Sequence, residues 1–152
     1  MDARKAVTAA VVLVLAALSA APAQAGPWRE WRGSGGWGAG GSYQRMYNAA
    51  TVETISGEVL SLDKITPAKG MSSGVHITVR TEKETIPVHL GPAWYLERLD
   101  TKIEKGDTIQ VKGSRISYRG KPAIIAAELQ KGDAVLKLRD ESGFPNWAGW
   151  RR

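Results

Sequence analysis

The chain has 152 residues, a formal net charge of +6, 43% hydrophobic residues, two histidines and no cysteine. The missing cysteine excludes disulfides, c-type haem attachment, iron–sulfur ligation and thiol catalysis. The basic balance favours acidic partners but is too modest to mark a nucleic-acid-binding protein.

The first 25 residues follow the three-part pattern of a secretory leader: Met-Asp-Ala-Arg-Lys, an apolar run from Ala6 to Leu18, and Ala23-Gln-Ala25 as a cleavage site. The apolar run is shorter than the roughly 20 residues a spanning helix needs. The leader makes the protein periplasmic or secreted, with no transmembrane segment left after cleavage. Residues 26–50 form an arm rich in Gly, Trp and Arg, read as flexible because dense glycine disfavours ordered backbone.

From Thr51 the chain turns β-branched. Residues 51–63 predict a long first strand with Gly57 marking a bulge or sharp bend. A loop over 64–74 follows, then two alternating strands, Val75–Thr81 and Thr85–Leu90, closed by a polar turn. The register that sets Val79 against Ile86, Ile77 against Val88 and Val75 against Leu90 also sets His76 against His89 on the other face. A slip of one residue would set apolar against polar side chains. Gly91 and Pro92 open a short helix or turn to Leu99. Strands at 107–117 and 122–130 flank a tight turn at Tyr118–Lys121, and 135–139 offers a short sixth strand. The tail, 140–152, returns to Trp, Gly and Arg. Three strands, a helix and two strands give an all-β fold: a five-stranded, OB-fold-like Greek-key barrel with one short helix between strands three and four, carrying flexible Trp/Arg/Gly arms. An SH3-like barrel is the main rival.

Three segments, Val88–Leu96, Lys105–Arg115 and Leu138–Arg152, resemble a group of small exported bacterial OB-fold proteins often labelled DNA-binding. The Lys-Gly-Asp segment at 105–107 is also similar to the periplasmic stress-tolerance OB-fold proteins. The resemblance implies a barrel over most of 51–152 and carries no catalytic residues with it, since fold does not fix function.

The candidate site is the outer face of strands two and three, the usual OB ligand platform. It would carry His76, Thr78, Arg80 and His89, with Arg115 and the strand four–five loop flanking it and Trp94 supporting the adjacent turn. The two histidines offer imidazole nitrogens to a metal ion, with Glu58, Asp63 or a tail carboxylate as a third ligand; the bland alternative is a solvated cross-strand pair with no ligand. Lys112, Arg115, Arg119 and Lys121 cluster about the strand four–five hairpin, where they could hold phosphates or form a solubilising surface. Five tryptophans lie in the arms. They either stack on bases, sugars or a membrane interface, or fold back as indoles capping the barrel. No nucleophile elbow or phosphate-binding loop occurs. The expected function is therefore a non-enzymatic binding or accessory module of the bacterial cell envelope, needing no cofactor beyond a possible metal ion. Its partner would be an envelope protein or small ligand. The alternatives are nucleic-acid binding, which rests on fold analogy, and metal handling by the histidine pair.

Overall fold

The computed structural model describes residues 35–148. The leader, Trp28, Trp31 and Trp150 lie outside them. Two short 3-10 turns, Gln44–Met46 and Ala49–Thr51, lead into β1 (Val52–Ile65), β2 (Gly74–Arg80) and β3 (Thr85–Pro92). A four-residue helix α1 (Ala93–Leu96) follows, then β4 (Thr108–Tyr118), β5 (Lys121–Lys131) and β6 (Ala134–Lys137). The sheet order is β3-β2-β1-β4-β5-β6. A parallel pairing of β3 with β5, Val88 with Ile124 and His89 with Ile125, closes a five-stranded barrel. The all-β barrel with one helix between β3 and β4 is the expected architecture, in an OB-like strand order.

β1 is long because it serves two neighbours. Its first half pairs with β4 and its second half with β2. The bulge that lets it turn lies between Val59 and Ser61. Gly57, where the sequence marks the bend, has a different duty: a Cβ there would lie 2.2 Å from the Arg80 carbonyl oxygen. Strand alternation puts Val59, Ile77, Val79, Ile86, Val88, Val111 and Leu129 into the core, each at most 1% exposed. Pro92, expected inside the helix, ends β3 and stands as the helix N-cap.

Both flanks pack on the barrel. Trp37 and Trp147 are each 1% exposed and Tyr43 is buried. The flexibility read from glycine content does not hold for residues 35–50 and 140–148. Of the two readings of the arms, the indole cap is the one seen at Trp37 and Trp147. Aromatic rings bury enough apolar area to offset the entropy that ordering glycine costs.

Candidate binding face

The hairpin register holds at its centre: Val79 meets Ile86, Ile77 meets Val88 and His76 meets His89. It shifts at the next step, where Val75 pairs with Gly91 instead of Leu90. The bulge sends Leu90 into the core and brings Gly91 under Trp147, where a Cβ would sit 2.9 Å from the indole. Gly74, on β2, lies against Trp37 in the same way; a Cβ there would meet the ring at 2.3 Å. The two glycines open the seats into which the flanks drop their indoles.

The histidines are therefore not on a solvated face. His76 is 4% and His89 1% exposed. Their rings stack with centroids 3.7 Å apart and planes 6° from parallel. The Tyr43 hydroxyl and His89 Nδ1 share a hydrogen bond of 2.7 Å, and the Tyr118 ring stands edge-on to His89 at 4.8 Å. Trp37 covers the next stretch. Its Nε1 donates to the Ser72 carbonyl at 3.0 Å, and its own carbonyl accepts from Trp147 Nε1 at 2.9 Å. Alternation along β2 and β3 correctly assigns these residues to the face away from the barrel core. It carries no sign that distant flanks cover that face.

Burial sets the electrostatics. Desolvation lowers His76 to about 4, with Asp63 opposing and Arg119 reinforcing the shift. Desolvation, the neighbouring His76 and Arg139 lower His89 to about 3. Desolvation also pushes the Tyr43 phenol well above its ordinary value. All three groups are neutral at neutral pH. The Nε2 atoms of both histidines are buried without a hydrogen-bond partner among the described residues. Metal chelation by the pair needs one ring to rotate, because the lone pairs of parallel rings lie in parallel planes and do not converge on one ion. No group of three or more His, Cys, Asp or Glu positioned to hold a metal occurs among the described residues.

The other expected members are engaged elsewhere. Arg115 is not a free cation: it forks onto Glu84 (Nη1 3.0 Å, Nη2 2.6 Å) and reaches Glu53 (Nε 3.1 Å, Nη2 2.6 Å). The two carboxylates raise its pKa still further, and Arg115 in turn holds Glu84 below the ordinary carboxylate range. Arg80 pairs with Glu58 at 2.9 Å. Thr78 is half-buried opposite Pro87. Trp94 lies on α1 beneath Arg98 at 5.7 Å and meets edge-on the ring of Tyr95, which packs on Trp147. The face is thus filled at the Gly74 and Gly91 end, while the far end carries ion pairs.

The residues the sequence underrates are Tyr43, Tyr118 and Arg139. Arg139 is buried, stacks 4.8 Å from Trp147, and donates from Nη1 to the carbonyls of Ala126 at 2.6 Å and Leu90 at 3.4 Å. Nothing in local spacing announces these contacts, which join positions up to 49 residues apart.

No helix among the described residues is long and apolar enough to cross a membrane. No curated protein matches the chain. A solved structure described as "Molecular basis for abrogation of activation of pro-inflammatory cytokines" aligns with 60% of this chain and 44% of its own, at 17% identity and a TM-score of 0.36. The chain thus spans less than half the length of that structure, and the likeness is too low to inform function. The family profile that matches covers residues 51–136, the barrel through β6. It gives the sequence resemblance a different and more specific address than the stress-tolerance proteins. By this match the chain belongs to the MamS/MamX magnetosome protein family.

Proposed function

We propose that the protein is an exported, non-enzymatic accessory module of the bacterial magnetosome that works by contact with another protein. The observation that supports this reading is the filled face. The outer side of β2 and β3, where OB barrels hold their ligands, is occupied by the chain's own Trp37, Tyr43 and Trp147. Arg115, the cation expected to flank the face, is matched by two carboxylates. A small ligand or a single strand would have to displace buried indoles to enter, at about 3–5 kcal/mol for each lost aromatic contact set. This reading takes the leader pattern of residues 1–25 as the export signal of a periplasmic or secreted protein.

The test is a two-dimensional NMR titration of the exported chain with zinc, copper, a single-stranded oligonucleotide and envelope glycans in turn. Photocrosslinking from exposed barrel positions in magnetosome-forming cells runs beside it. Silence at His76 and His89, together with crosslinks to a defined protein, is the expected result. Saturable shifts at the two histidines with any of the probes, or an absence of protein crosslinks, would overturn it.

A further inference from the structure

Residues 35–47 run across the outer side of β2 and β3 as a strap. Five of the first nine are glycine, and the strap contributes no strand to the sheet. Among the described residues one backbone hydrogen bond joins it to the barrel, from the Ser72 N–H to the Gly35 carbonyl at 2.7 Å. The remaining ties run through side chains, among them the Trp37 indole on Ser72, the Trp147 indole on the Trp37 carbonyl and the Tyr43 hydroxyl on His89. A segment held by so few backbone bonds can lift while the ladders of the barrel stay closed.

Under Tyr43 lies the stacked histidine pair. Ring contact at 3.7 Å suits two neutral imidazoles and repels two charged ones. Each ring buries its Nε2 with no hydrogen-bond partner among the described residues, so an imidazolium there would carry an N–H with no acceptor. The groups facing the pair do little to relieve this. Asp63, opposite His76 on β1, favours a proton there but is exposed to water, which weakens its pull. Arg119, from the β4–β5 turn, opposes that proton, and Arg139, buried beyond β6, opposes one on His89. Tyr43 and Tyr118 present rings. Tyr118 belongs to β4, so Tyr43 is the cover that can leave.

We propose that the strap is an acid-sensitive cover: protonation of His76 and His89 lifts residues 35–47 from β2 and β3 while the barrel stays folded, and bares the face that the strap fills. This goes beyond the accessory reading and does not depend on it. The sign follows from burial. With the strap down the histidines titrate at about 4 and about 3, and once water reaches them they return to about 6.5. The open form therefore binds more protons between these values, and acid favours it. Between pH 7 and pH 5 this linkage raises the opening constant about 500-fold for two histidines and about 25-fold for His89 alone.

The experiment is hydrogen exchange followed by NMR on the exported chain from pH 7 to pH 5, corrected for the intrinsic pH dependence of exchange. The indole N–H groups of Trp37 and Trp147 and the Ser72 amide report the strap. The amides of Ile77 and Val111, inside the ladders, report the barrel. The strap protons should exchange faster than the barrel amides throughout, with an opening constant that rises about 500-fold on acidification. His76→Leu should cut that rise to about 25-fold. Tyr43→Phe, which removes the tie to His89, should raise strap opening at pH 7 about fivefold. One common rate for strap and barrel, corrected strap exchange that does not change with pH, a rise that survives intact in His76→Leu, or no change in Tyr43→Phe would each overturn the proposal.

Discussion

His76 and His89 show how one side chain's surroundings decide its chemistry. In the unfolded chain each imidazole titrates near 6.5. In the fold the pair sits at about 4 and about 3, because burial disfavours the charged form of both and His76 further lowers His89. The unfolded state therefore binds more protons over the whole interval between these values. The stability contributed by neutral histidines is complete above pH 6.5 and is lost as pH falls towards 4 and below. Tryptophan fluorescence should report this directly, since Trp37 and Trp147 are buried beside the pair. Acid unfolding is expected below pH 6, and His76→Leu should move its midpoint to lower pH by removing one of the two groups. A midpoint that stays in place or rises would mean that other groups control acid unfolding.

At the scale of an element, two glycines that look alike in sequence do different work. Gly120 occupies the β4–β5 turn at φ +78° next to Arg119 at φ +51°, a left-handed pair suited to the twist of a tight hairpin. A Cβ at Gly120 would meet nothing within 4 Å. Gly120→Ala should therefore cost about 1–2 kcal/mol through backbone strain alone and leave the tryptophan emission unchanged. Gly74 lies in β2 and yields its Cβ space to Trp37. Gly74→Ala should cost about 1–3 kcal/mol by overpacking and shift the emission to the red as Trp37 lifts. Urea unfolding followed by fluorescence separates the two. Identical spectra for both variants would contradict the seat assigned to Trp37.

For the whole molecule, the flanks belong to the barrel they cover. Trp147 contacts Trp37 from the other end of the chain, Tyr95 on α1, Gly91 on β3 and the guanidinium of Arg139. Its loss would leave a cavity and strip Arg139 of its aromatic neighbour. Trp147→Ala should destabilise the protein by about 3–5 kcal/mol, measured by chemical denaturation. A loss under 1 kcal/mol would show that the tail is dispensable. Charge is also arranged at this scale. Acidic and basic residues are nearly balanced over residues 35–148, and part of the basic surplus lies in Arg29, Arg32, Arg151 and Arg152.

Much of the barrel was legible in the order of residues. Alternation in 75–81 and 85–90 determined which side chains face the core and that His76 opposes His89, because strand periodicity and burial admit one register. The helix position after Gly91, the turn at Tyr118–Lys121 and the absence of thiol chemistry followed from local rules in the same way. Tertiary structure decided whether the histidine face is open, whether Arg115 is free, and what the arms do. Those outcomes depend on Tyr43 reaching His89, Glu53 and Glu84 converging on Arg115, and Trp147 reaching Trp37. Such contacts join segments with no common periodicity, so the sequence by itself determined the two faces of each strand, and only folding determined what covers them.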